Sequence, residues 1–312
     1  MKIWRDISAF TARNPVVTIG IFDGVHQGHI YILDELRKEA DKIGGETVVL
    51  TLWPHPRLVL NKDPENLRYL TSIEEKSFLL EKAGVDHLII IPFTKEFSLL
   101  GSCDFIEEYL VCKLKVQKLI VGYNHKFGRN REGDFKNLKS CADKFGFELE
   151  RLDPVMIEGE KISSSVIRNL IFEGDLERAN RYLGYDFFMQ GEVVEGNKIG
   201  RQMGFPTANL QPADPHKLIP KTGVYAVQVE KDNHLYNGML NIGYRPTVNS
   251  DPAKKSVEVH LFDFEGDIYG SEVKMYFRSF MRDEKKFDTL EALKKQLLAD
   301  KQKAIEILKD FS

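Results

Sequence analysis

The sequence predicts two domains in series: a Rossmann-like α/β domain over residues 1–184, then a small antiparallel β-barrel with a terminal helix over residues 185–312. Three observations predict this. Up to Gly184, short apolar runs alternate with helical periodicities, as in a doubly wound parallel sheet. Beyond Gly184, apolar runs follow one another with only Gly, Pro, Asn and Asp clusters between them, as in a small barrel. The final stretch places Leu290, Leu293, Leu297, Leu298, Ile305 and Leu308 at helical spacing.

In chain order, residues 16–22, 47–52, 88–93 and 119–122 have the length and composition of strands buried on both faces. Ile30, Leu33, Leu36 and Ala40 then mark a helix after the first of them. Thr71-Ser72-Ile73-Glu74 reads as a capping box that opens a second helix, ending near Gly84. Residues 164–172 and 176–183 read as two short helices punctuated by Gly174 and Gly184. Five further strands are expected at 187–194, 224–230, 235–242, 257–264 and 273–280.

The 312 residues are 42% hydrophobic and 29% charged, enough for two cores of ordinary globular composition. A net charge of −3 argues against nucleic acid as the main partner. Charges at Lys2, Arg5 and Asp6 argue against a signal peptide. No apolar run has the ~18 residues of a membrane span, so a cytoplasmic protein, monomeric or weakly associating, is expected. Cys103, Cys112 and Cys141 suggest neither a disulfide framework nor a zinc knuckle.

The first candidate site is the stretch from Gly20 to His29, GIFDGVHQGH, which joins the first strand to the first helix. Backbone N–H groups and the positive end of a helix form an anion site there. Gly20, Phe22, Asp23, Gly24 and Gly28 are therefore expected to line a nucleotide phosphate. His26 and His29, three residues apart, can face the same phosphate as hydrogen-bond donors able to carry charge. Near the end of the domain, Lys161-Ile162-Ser163-Ser164-Ser165-Val166-Ile167-Arg168 offers three hydroxyls at a helix start and one guanidinium a turn later. Trp53-Pro54-His55-Pro56 and the basic loop from Gly122 to Arg131 follow two other strands, at the end where such sheets bind ligands.

The second candidate site is glycine-rich. Residues 196–209, GNKIGRQMGFPTAN, suit a flap over phosphates, with Gly200, Arg201, Gly204 and Pro206 as nucleotide contacts. Thr207 and Asn209 add hard oxygens suited to Mg²⁺. Along Val257-Glu258-Val259-His260-Leu261, Glu258 and His260 share the face opposite the aliphatic residues, which makes Glu258 a candidate general base for a primary alcohol.

H-x-G-H followed by a serine-rich, basic helix start resembles the nucleotidyltransferase superfamily, which implies an α/β nucleotidyltransferase (Rossmann-like) first domain. The whole chain resembles the bacterial bifunctional riboflavin kinase/FMN adenylyltransferases. The resemblance runs through Phe22-Asp23-Gly24-Val25-His26, Pro54-His55-Pro56, Ile162-Ser163-Ser164-Ser165, Gly204-Phe205-Pro206-Thr207-Ala208-Asn209, Asn241-Ile242-Gly243-Tyr244 and Val257-Glu258-Val259-His260. It implies ATP as co-substrate with Mg²⁺ and flavin substrates: riboflavin becomes FMN in the second domain and FMN becomes FAD in the first. It further implies adenylyl transfer by His26, His29, Asn124, Ser164, Ser165 and Arg168, with Ser163 on the nucleotide. Flavin contacts fall to His55, Pro56, Tyr123 and Arg282, and the kinase base is Glu258. Trp53 stands where the family usually has an acidic residue, Asn124-His125-Lys126 replaces a common Asp-Phe-Arg, and Ser165 replaces a common threonine. A class I synthetase would need a tRNA-binding surface, and a flavin sensor without turnover could dispense with Glu258.

Overall fold

The computed structural model describes residues 1–60, 67–123, 128, 133–195, 204–244 and 255–311. They divide into two compact units, Met1–Ser163 and Ser164–Ser312.

The first unit runs β1 (Lys2–Trp4), β2 (Val16–Ile19), α1 (Gln27–Lys42), β3 (Thr47–Trp53), α2 (Pro56–Val59), α3 (Ile73–Lys82) and β4 (His87–Pro92). It continues with α4 (Ser102–Phe105), a wider π turn over Ile106–Lys113, β5 (Lys118–Gly122), α5 (Phe135–Phe145), β6 (Glu148–Leu152) and the hairpin β7 (Met156–Ile157) and β8 (Glu160–Lys161). The main sheet has the order β1-β4-β3-β2-β5-β6 and is parallel throughout. Its central strands are continuous runs of Val, Ile and Leu because both faces are covered. On one face Val17, Leu50, Ile89 and Leu119 pack against Ile106, Leu110, Leu138 and Ala142.

Strand order reverses at β2, whose neighbours are β3 and β5. A crevice for ligands opens at such a point, beyond the carboxyl ends of the strands. The segments leaving β2 and β5 are those from Gly20 and Gly122. The sheet also takes in two strands that the apolar runs do not announce. Lys2–Trp4 and Glu148–Leu152 are edge strands, half exposed and rich in charge, so they lack the apolar signature. The capping box of α3 lies one residue later than expected, between Ser72 and Glu75. The pattern fits both registers, but the Thr71 hydroxyl accepts the Gly24 amide instead.

The second unit begins with α6 (Ser164–Glu173) and α7 (Leu176–Leu183), expected above to close the first domain. Asn180 explains their allegiance. Its amide donates to Asp186 Oδ1 at 2.9 Å and to the Phe277 carbonyl, while its Oδ1 accepts the Phe187 amide. The strands β9 (Phe188–Val194), β10 (Ala208–Pro212), β11 (Gly223–Lys231), β12 (His234–Tyr244), β13 (Lys255–Leu261) and β14 (Glu272–Arg282) close an antiparallel barrel in the order β10-β13-β12-β11-β14-β9. Five strands are the expected ones. The sixth, β10, lies where the sequence predicts a phosphate loop, because only Ala208 and Leu210 mark it between a glycine-rich run and Pro212.

The terminal helix α8 (Leu290–Leu308) covers Val224, Ala226, Met239 and Met281 with Ala304 and Leu308, flanked by Leu297. Leu290, expected on the packed face, is 69% exposed, and the packed stripe includes Asp300 instead.

Candidate active sites

The turn after β2 is built from residues that the backbone forces into unusual conformations. Phe22, Gly24 and Val25 all have positive φ, at 50°, 84° and 34°. Two non-glycine residues held that way store strain that surrounding contacts must sustain. Those contacts are present. Asp23 Oδ1 accepts the amides of Leu70 and Thr71 at 2.9 and 3.1 Å, and Thr71 Oγ1 accepts the Gly24 amide at 3.0 Å. A side chain at Gly28 would press on the His26 ring at 3.2 Å, and one at Gly20 on Phe22 at 3.0 Å.

His26 is the N-cap residue of α1, and its side chain makes no capping hydrogen bond. Its ring stacks on His29 with centroids 3.7 Å apart and planes 14° apart, and His29 also packs on Phe22. Among the described residues, neither Nδ1 has a hydrogen-bond partner. Burial is the main cause that lowers the His26 pKa to about 4, opposed by the charge of Asp23. Burial also takes His29 well below the usual range, helped by His26 and Lys76. Burial thus favours the neutral form of both rings in the free protein, whereas the sequence left open that they carry charge.

His55 caps α2 by accepting the Arg57 amide on Nδ1, stacks near Tyr69 with centroids 5.9 Å apart, and is followed by Pro56 in the first turn. Tyr123 is half exposed, with Lys161 Nζ 3.9 Å from its ring centroid. Asn124, Gly200 and Arg201 lie outside the described residues. Ser163 ends the first unit, while Ser164, Ser165 and Arg168 belong to the second, on α6, where Arg168 Nη1 donates to Ser165 Oγ at 3.4 Å.

In the barrel, strand register gathers what the sequence only scatters. Glu258 on β13 stands opposite Asn209 on β10 and opposite Asn241 on β12. Directly paired residues point to the same face, so Asn209, Glu258 and Asn241 form one polar row across three strands. Asn241 belongs to a motif that carries the resemblance, but the sequence assigns it no role, since its place in the row follows from register alone.

The Pro206-Thr207 end of that region is anchored by His260. Its Nδ1 donates to the Pro206 carbonyl at 2.8 Å, and burial lowers its pKa. A cavity of about 250 Å³ opens beside Thr207 and Ala208, walled by Val259, Leu261, Phe264 and Tyr269. The exposed Pro206 also lines it. Arg282 is engaged elsewhere: its guanidinium binds both Asp300 oxygens and the Asp283 carbonyl, fastening α8 to the barrel. That geometry gives it a structural duty as well as the flavin contact that the resemblance implies.

A family model described as FAD synthetase matches residues 9–166, and one described as riboflavin kinase matches residues 183–308. The bifunctional riboflavin kinase/FMN adenylyltransferase of Listeria monocytogenes is 40% identical over 299 residues, covering 96% of this chain and 92% of its own. The Escherichia coli K12 protein of the same description is 37% identical over 98% of this chain and 97% of its own. A crystal structure described as a macrolide-efflux protein from Streptococcus pneumoniae aligns with a TM-score of 0.87 at 32% identity, covering 96% of this chain and 97% of that one.

Proposed function

The chain belongs to the bifunctional riboflavin kinase/FMN adenylyltransferases, and from that premise we propose how its residues divide the work. The activities are consecutive: ATP phosphorylates riboflavin to FMN in the region matched as riboflavin kinase, residues 183–308, and FMN is adenylylated to FAD with release of pyrophosphate in the region matched as FAD synthetase, residues 9–166.

In adenylyl transfer, an FMN phosphate oxygen attacks the α-phosphorus of ATP and pyrophosphate leaves. The protein's share of such a step is positioning and charge stabilisation. His26 and His29 serve as neutral N–H donors to phosphoryl oxygens, held by the stack and by the Asp23 tether. Neutral imidazoles avoid a standing buried charge in the free protein and still supply hydrogen bonds as negative charge builds. Ser163, Ser164, Ser165, Arg168 and Asn124 are assigned to the same reaction on the strength of the resemblance alone. His55, Pro56 and Tyr123 are assigned to the flavin on the same ground.

In the kinase, Glu258 takes the proton of the riboflavin primary hydroxyl as that oxygen attacks the γ-phosphorus. Asn209 and Asn241 flank it and orient it. The Thr207 hydroxyl and Asn209 amide oxygen are hard donors too few to enclose an ion alone. That fits Mg²⁺, which keeps water and nucleotide phosphate as its other ligands. Among the described residues no cluster of three His, Cys, Asp or Glu could hold a metal by itself. Bound there, Mg²⁺ would neutralise phosphate charge. The cavity beside Thr207, walled by Val259, Leu261 and Phe264 with Asp267 at its edge, suits the base of ATP.

The Asn209–Glu258–Asn241 row carries this reading most strongly, because it sets a carboxylate between two amides beside the proposed metal oxygens. The test is incubation with riboflavin, ATP and Mg²⁺ followed by chromatography of the flavins. FMN should form first and FAD later, and chelating the metal should stop both. Phosphorylation that continues at full rate without divalent metal would remove Thr207 and Asn209 from the account.

A further inference from the structure

Lys76 is electrostatically out of place. It lies one turn past the Ser72 cap of α3, where the positive end of the helix opposes a cation. It is 1% exposed, and a lysine buried that deeply ordinarily has a bonded carboxylate. Among the described residues, Nζ has neither an ion pair nor a hydrogen bond. What faces it is the ring of Trp53 on β3, with Nζ 5.2 Å from the centroid, and the charge of Asp23 in the turn after β2. Asp23 meanwhile directs Oδ1 at two backbone amides. Burial lowers the Lys76 pKa to about 8, and its charge contributes to keeping His29 neutral.

The mounting is rigid. The segment that begins α3 is tied to the histidine turn through Asp23, Leu70, Thr71 and Gly24. Among the described residues, one small region therefore holds an ammonium without a bonded anion and two imidazoles whose Nδ1 atoms have no partner. Each is a buried polar group, and leaving one unbonded is unfavourable. A polyphosphate has enough oxygens to satisfy all three.

We propose that Lys76 is a phosphate-binding residue of the adenylyl-transfer site, its ammonium receiving the charge of the ATP phosphates beside His26 and His29. This rests on reading the His26–His29 turn as that site. In the step, a bond forms between an FMN phosphate oxygen and the α-phosphorus, and the bond from that phosphorus to the bridging oxygen breaks. Pyrophosphate carries away the electron pair, and Lys76 keeps its protons throughout.

The test compares the full-length protein with its Lys76→Met variant in three measurements: FAD formation from FMN and ATP, FMN formation from riboflavin, and thermal midpoint. The variant should lose roughly 10²–10³-fold in kcat/KM for adenylylation, as for other transition-state donors. Riboflavin phosphorylation should be unchanged. The midpoint should equal or exceed that of the wild type, because a buried charge has been removed. A structural lysine would give the opposite midpoint shift. Adenylylation within about threefold of wild type overturns the proposal, as does a lower midpoint with both activities falling together. Should Lys76→Met not fold, Lys76→Gln must show the same split between activities or the proposal fails. Wild-type protein that makes no FAD from FMN overturns the underlying reading of the turn, and this proposal with it.

Discussion

His26 shows how one side chain links the site to stability. Its imidazole has a pKa of about 4 when folded, against 6.5 as the ordinary value, because burial disfavours the charged form. Above pH 6.5 both folded and unfolded chains carry it neutral. As the pH falls below 6.5 the unfolded chain takes up the proton first, so folding stability falls until about pH 4 and then levels. The full span is worth about 3 kcal/mol, of which about 2 kcal/mol is lost by pH 5. Urea unfolding at pH 7.5 and pH 5 should show the wild type losing about 2 kcal/mol more than His26→Gln. Equal losses would mean that His26 is not held neutral by burial. The pair of histidines was legible in the sequence because a spacing of three residues at a helix start puts both on one face. Lys76 was not, because a lysine among Glu74, Glu75 and Lys82 reads as surface until the helix is seen packed.

At the scale of elements, the barrel and its covering helix are joined by a buried ion pair. Asp300 is 3% exposed, and it accepts from Arg282 at 2.9 Å through Nε and from Gln296 at 2.9 Å. Replacing Asp300 by Ala leaves the Arg282 guanidinium partly buried and without its carboxylate, which should cost about 3 kcal/mol or more. Denaturant unfolding of the second unit should register that loss, and a change under about 1 kcal/mol would make the pair a solvated contact. The apolar runs of β3, β4, β11 and β12 disclosed those strands because central strands are buried on both faces or alternate cleanly. The edge strands β1 and β6 have no such signal. The Asn209–Glu258–Asn241 row could not be read either, because cross-strand register is a property of the closed barrel and not of any one segment.

For the whole molecule, the claim is that two separate sites act in sequence on one flavin. The units divide at Ser163 and Ser164, so a fragment from Ser164 to Ser312 should fold cooperatively and phosphorylate riboflavin. A fragment starting at Tyr185 lacks α7, whose Leu176, Ala179, Tyr182 and Leu183 are buried and whose Asn180 holds Phe187. It should melt at a lower temperature than the longer fragment, and equal melting would place the boundary near 184, as the strand pattern alone suggested. The most direct measurement mixes two full-length variants, His29→Ala and Glu258→Gln, in equal amounts with riboflavin, ATP and Mg²⁺. Alone, the first should stop at FMN, its adenylylation slowed roughly 10²–10³-fold. The second should leave riboflavin largely unconverted, its phosphorylation slowed roughly 10²–10⁴-fold. Mixed, they should restore FAD synthesis, because FMN released by one protein is substrate for the other. A mixture that makes no more FAD than the two variants made separately would contradict the two-site account.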